Sequence, residues 1–198
     1  MRGGVEVAFE AVSEVRELAP GEWSVLALLS DAPAHGWALA EAMSKNGDVG
    51  RVWAVGRPLV YRAIELLESR GLIESVGTER GARGPNRALF KATPEGREEL
   101  AHWLSEPVDH VRDIRSLFLL KLVLLDRAGL DNAPLLEAQR ALTVPALAAL
   151  ETRLRESRGS EHVFVLFRLE TTRSVIRFID GLLAERRPAR SGEARRGS

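Results

Sequence analysis

The chain contains no cysteine. That excludes disulfides, iron–sulfur clusters and thiol catalysis, and it suits a reducing cytosol. Net charge is also missing, because 28 Lys and Arg balance 28 Asp and Glu. The whole molecule therefore has no field that would draw it onto nucleic acid, and any such surface must come from uneven placement of charge. No apolar run is long enough to cross a bilayer. The longest, Leu117–Leu125, contains Lys121 and falls well short of the ~20 residues a span needs. The N-terminus does not read as a signal peptide, since Glu6, Glu10 and Glu14 interrupt its apolar region. These absences predict a soluble cytoplasmic protein with no membrane partner.

Catalytic signatures are missing too. The four histidines, His35, His102, His110 and His162, form no HExxH. Without cysteine a metal would need a His and carboxylate cluster, which their spacing does not offer. Gly81-Ala-Arg-Gly84 lacks the Lys-Ser/Thr of a phosphate-binding loop. Glu161-His162 sits where a helix start needs capping. The expectation is no enzyme, no metal and no cofactor.

What is present is an ordinary globular composition, 45% hydrophobic and 28% charged over 198 residues, with no internal repeat. Residues 1–18 form a weakly patterned extension. Val5, Phe9 and Val12 lie at helical spacing there, so a short helix and a frayed tail both stand as readings. A helix opens at Pro20 with Val25, Leu26, Leu28 and Leu29 as its apolar face, and Asp31-Ala-Pro33 stops it. A second runs from about Gly36 to Lys45, ended by Asn46-Gly47. A third runs from about Arg57 to Arg70. Gly56 caps it, Pro58 sits in its first turn, and Val60, Ile64 and Leu67 lie on one face. The period then changes. Ile73–Thr78 and Arg87–Ala92 read as strands around the loop Glu79–Asn86, and Thr93-Pro94-Glu95 opens a fourth helix carrying Leu100, Trp103 and Leu104 inward.

Beyond Pro107 the pattern is all helical. Ile114–Leu125 is apolar almost all round and predicts one buried helix. A segment from Ala133 to Glu156 contains Pro145, which should kink or restart it. A last helix covers about residues 162–185. The Arg-, Gly- and Ser-rich residues 187–198 predict a disordered basic tail. The fold class is mainly α: an N-terminal winged helix-turn-helix over 19–106 (three helices, a β-hairpin wing, a further helix), then an all-α dimerisation domain over 107–186.

In such a fold the third helix enters the DNA major groove, and the wing touches backbone or minor groove. Charge placement agrees. From Arg51 to Arg97 nine basic residues face five acidic ones, and the wing loop holds Arg80, Arg83 and Arg87 against Glu79. The DNA-contact set is Arg57, Pro58, Tyr61 and Arg62 of the third helix, with Arg80, Arg83, Asn86 and Arg87 of the wing. Two alternatives stay open. Tyr61 also suits a core-edge aromatic beside Val60 and Ile64, and Arg62 could pair with Glu65 three residues on. A winged helix used only for protein contacts is the alternative function.

Four motifs in order carry a resemblance. Pro20-Gly-Glu-Trp-Ser-Val-Leu-Ala-Leu-Leu29 with Ala34-His-Gly-Trp37 resembles the opening of the PadR family of transcriptional regulators. Val60-Tyr-Arg-Ala-Ile-Glu-Leu-Leu-Glu-Ser-Arg-Gly-Leu-Ile73 resembles its recognition helix. Gly84-Pro-Asn-Arg87 and Thr93-Pro-Glu-Gly96 resemble its wing and the turn that follows. Departures are Trp37 for a tyrosine, Gly56 for a Ser or Thr cap, and Leu89-Phe90 for paired aromatics. The resemblance implies a homodimeric repressor on a palindromic operator, relieved by a small molecule or another signal. It also implies Tyr61 and Arg62 against the DNA, with Arg57 near the helix start.

The last helix predicts the dimer independently. Val165, Leu169, Thr172, Ile176, Ile179 and Leu183 are spaced 4-3-4-3-4, a coiled-coil-like seam. Phe164, Phe167, Thr171, Val175, Phe178 and Leu182 form a second stripe beside it. Two stripes need two partners, although a single wide core face would also account for them. Each large apolar side chain left in water forgoes roughly 1.5–3 kcal/mol. The expected dimerisation residues are Leu117, Phe118, Val165, Leu169, Ile176, Ile179 and Leu183. A pocket for a small apolar effector is expected at Trp53, Trp103 and Phe167, against the plainer reading of these aromatics as core.

Overall fold

The structure, a computed structural model, describes residues 17–79 and 87–186. The N-terminal half holds α1 (Pro20–Asp31), β1 (Ala34–His35), α2 (Gly36–Ala42), α3 (Arg57–Ser69), β2 (Ile73–Glu79), β3 (Arg87–Ala92) and α4 (Pro94–Ser105). The three strands form one antiparallel sheet in the order β1-β3-β2. This is a winged helix. β1 escaped the sequence pattern, because two residues are too few to show a period. Ala34 pairs with Phe90 and His35 with Leu89, so the sheet edge reaches the start of α2. That helix ends at Ala42, three residues earlier than expected.

Each element starts for a local reason. The Ala19 amide donates to Glu22 Oε2 at 2.6 Å, and Pro20 follows in the first turn of α1. Thr93 works twice. Its Oγ1 accepts from the Gly96 amide at 3.1 Å and donates to the Gly71 carbonyl at 2.8 Å. A Cβ on Gly96 would collide with the Leu72 carbonyl, so only glycine lets α4 lie this close to the end of α3.

The C-terminal half runs through α5 (Val111–Asp113), a π-helical segment (Ile114–Phe118), α6 (Leu119–Arg127), α7 (Ala133–Glu156) and α8 (Gly159–Glu185). The expected single helix 114–125 is thus a π turn followed by an α-helix. Lys121 is buried inside it at 3% exposure. α7 continues through Pro145 without restarting, at the cost of the hydrogen bond its ring nitrogen cannot donate. α7 and α8 form an antiparallel hairpin, tied by Arg140–Asp180 at 2.6 Å and Arg173–Glu151 at 2.9 Å.

One core runs from Leu18 to Leu136 and takes in Val175 and Ile179 of α8. It crosses the expected boundary near residue 106. Trp23 of α1 stacks on Trp103 of α4 with centroids 5.0 Å apart. Lys121 Nζ lies 4.5 Å from the Trp103 ring centroid. Gln139 of α7 clamps the connecting segment, accepting from the Val108 amide at 2.7 Å and donating to its carbonyl at 2.9 Å. Leu18, placed by sequence in the extension, belongs to this core. The far end of the hairpin has only a small seam of its own, Leu150 against Val165 and Leu169.

Candidate nucleic-acid interface

α3 divides cleanly. Val60, Ala63, Ile64 and Leu67 are buried against the core, and Arg57, Pro58, Leu59, Tyr61, Arg62 and Glu65 are exposed. The apolar positions spaced three and four apart set that division. Neither Arg57 nor Arg62 has an ion-pair or hydrogen-bond partner among the described residues, so the pairing of Arg62 with Glu65 is not made. Two guanidinium groups on an exposed helix face are free to meet phosphate or a base edge.

Tyr61 leans across to α2. A Cβ built on Gly36 would lie 2.6 Å from its Cε1 and 2.9 Å from its Cζ. The glycine of the Ala-His-Gly-Trp motif is therefore the seat of the tyrosine ring. His35, one residue earlier, caps α2 by accepting from the Ala38 amide at Nδ1, 3.0 Å. That leaves Nε2 as the protonated nitrogen of the neutral ring, 3.6 Å from Glu79 Oε2 at the end of β2. Trp37 is half exposed, and the Arg87 guanidinium lies 5.7 Å from its ring centroid. From Arg62 through Tyr61, Gly36 and Trp37 to Arg87, the exposed face of α3 connects to the base of the wing.

Residues 25–102 match the family model described as "Transcriptional regulator PadR-like family". The match covers the winged helix and makes this segment similar to that family. The family is one of transcriptional regulators rather than enzymes. The chain is 25% identical over 135 residues to the Mycobacterium tuberculosis protein named "Probable transcriptional regulator Rv1176c", covering 68% of this chain and 67% of that one. Among solved structures it is similar to Bacillus subtilis PadR in complex with operator DNA, at 19% identity, 83% and 97% coverage and a TM-score of 0.42. It is also similar to the same protein in complex with p-coumaric acid, at 17% identity, 85% and 98% coverage and a TM-score of 0.37. The winged-helix assignment rests on the strand and helix order above and the family likeness on the match over 25–102, not on these whole-chain scores.

The structure sorts the remaining sequence expectations. Arg57, Pro58, Tyr61, Arg62 and Arg87 come together on one connected surface. Arg80, Arg83 and Asn86 lie outside the described residues. The expected dimer set lies mostly inside the subunit. Phe118, Val165, Leu169 and Ile179 are buried within the chain, and Leu117, Ile176 and Leu183 are half-buried against it. The stripe that faces outward holds Phe164 at 70% and Phe167 at 71% exposure, with Val163, Leu166 and Phe178 also exposed. Sequence spacing showed two stripes, and nothing in the spacing said which one the α7 seam would cover. The expected effector trio is not assembled either. Trp103 is sealed between Trp23 and Lys121, Trp53 packs half-buried on the N-terminal core, and Phe167 sits on the outer face of α8.

Sequence reasoning missed the seat of Tyr61 on Gly36 and the contact of Trp37 with Arg87. The motif Ala34–Trp37 held the signal, but its reason is tertiary. Among the described residues no group of three or more His, Asp or Glu could hold a metal. No described helix is long and apolar enough to cross a membrane.

Proposed function

We propose that the protein is a homodimeric transcriptional repressor that reads a palindromic operator with α3 and the wing. Arg57 and Arg62, unpartnered among the described residues, flanking a tyrosine seated on Gly36 and continuous with Arg87, carry this reading. Zero net charge means that affinity rests on these few groups and not on a general basic field. The exposed stripe of Val163, Phe164, Leu166 and Phe167 supports the dimer. A two-fold axis through it would put two recognition helices about one DNA turn, ~34 Å, apart. Relief by a small molecule or another signal is supported by the family resemblance alone.

Titration of labelled DNA from upstream of the protein's own gene tests the reading. We expect saturable binding at low salt that weakens steeply as salt rises. No binding at low salt would sink it and leave a winged helix used only for protein contacts.

A further inference from the structure

The last described rung of the wing sets opposite charges face to face. Glu79 of β2 and Arg87 of β3 are direct partners in the antiparallel ladder. Side chains so placed start ~4.5–5.5 Å apart at Cβ, and opposite charges there attract. Bound to Glu79, the Arg87 guanidinium would spend its charge and its N–H donors inside the protein and have little left for a phosphate. Yet among the described residues no ion pair joins the two. Each is drawn elsewhere. Glu79 Oε2 lies 3.6 Å from His35 Nε2, across the intervening strand β3. Arg87 turns to Trp37, with its guanidinium 5.7 Å from the ring centroid.

The sheet register explains why His35 and Trp37 are in reach. β1 pairs Ala34 with Phe90 and His35 with Leu89. Carried two residues further, that register sets Trp37 opposite Arg87, on the face that alternation gives to His35. The backbone turns into α2 at Gly36, but the indole still meets Arg87. Between the two, Gly36 seats the Tyr61 ring. Three consecutive residues thus touch β2, α3 and β3. An aromatic face suits the hold on Arg87. It attracts a guanidinium through the ring quadrupole, and it leaves the N–H fork unspent for an oxygen.

We propose that Trp37 is a positioning residue for DNA binding: with His35 it splits the Arg87–Glu79 pair and keeps the Arg87 guanidinium free for a backbone phosphate. This rests on the DNA-binding reading above. Without the ring, Arg87 falls back on Glu79 and its phosphate contact is lost.

Titration of the same upstream DNA over a range of salt concentrations tests this in a double-mutant cycle of Trp37→Ala and Glu79→Gln. Trp37→Ala should bind about three- to tenfold more weakly and show a salt slope shallower by about 1, the signature of one lost phosphate contact. Glu79→Gln removes the competing carboxylate. It should strengthen binding at least about threefold more in the Trp37→Ala background than in the native one, and restore the slope there. Trp37→Phe keeps a π face and has no N–H to offer DNA, so it should recover most of the alanine loss. Trp37→Leu fills the site without a π face and should repeat the alanine result, which keeps the test decisive if Trp37→Ala loses helical content. Equal gains from Glu79→Gln in both backgrounds overturn the proposal. So does native-like binding by Trp37→Ala. A loss in Trp37→Phe as large as in Trp37→Ala also overturns it and makes the indole itself the DNA contact. In all three cases native binding stands, and the DNA-binding reading with it. Absence of native binding at low salt removes that reading and this proposal together.

Discussion

At Gly36 a side chain would occupy the space that the Tyr61 ring fills. The obstacle is the far end of a flexible side chain, so Gly36→Ala should displace the ring at little cost. Alanine also gains about 0.5–1 kcal/mol over glycine in a helix. The expected outcome is a melting temperature near that of the native protein and a severalfold loss of operator affinity, read by calorimetry and by DNA titration. Arg62→Ala should cost about 1–3 kcal/mol at one or two base pairs and leave other sequences nearly untouched. Equal losses on all DNA sequences would refute a base-reading role. Arg57→Ala, near the helix start, should instead flatten the salt slope by about 1. Lys121 is a different kind of residue. Burial lowers its pKa from 10.5 to about 8, against the pull of Glu106 and Glu17. Between those values the unfolded chain binds more protons than the folded one, so stability rises with pH through this window. Lys121→Met removes the titrating group. Chemical denaturation from pH 7.5 to 10.5 should show native stability gaining on the variant as pH rises, and parallel curves would contradict this.

α8 teaches most at the level of elements. Its inner seam and its outer stripe lie on opposite faces, and the subunit covers only the inner one. Phe164→Asp with Phe167→Asp should give a folded monomer in sedimentation, with helical content unchanged. Leu169→Asp, at 1% exposure, should instead collapse the hairpin, since an unpaired carboxylate would enter its seam. The winged helix was legible because each of its longer elements is punctuated: Pro20, Pro58 and Pro94 in first turns, and Thr93 as a cap. Amphipathic spacing then divided α3 correctly into buried and exposed faces. Three things were not legible. The strand β1 is two residues long and exists only because β3 is there to pair with it. The π turn at Ile114–Phe118 looks, by apolar pattern, like any buried helix. At Pro145 a kink and a restart were both open, and the structure has no restart: α7 continues through it, packed on α8. In each case tertiary contact overrode a local rule. The residues proposed to face DNA were chosen by position in the fold, and the residues they rest against, Gly36 and Trp37, needed coordinates.

Across the whole molecule the core does not stop at the end of α4. Trp23, Trp103, Lys121 and the Gln139 clamp join the two halves, so we expect a single cooperative unfolding transition in calorimetry rather than two. Gln139→Ala should cost about 1–3 kcal/mol by orphaning the buried Val108 amide. Two resolved transitions in the native protein would contradict a shared core. The same clamp has a mechanical consequence. From Gln139 to Glu156 the hairpin extends about 25 Å beyond its fastening point. A tilt of about 5° there moves the tip by ~2 Å, with the winged helix as the body against which it swings. If two tips are bolted together, that tilt becomes a change in the stride between two reading heads. The hairpin is then a lever whose fulcrum is one glutamine side chain.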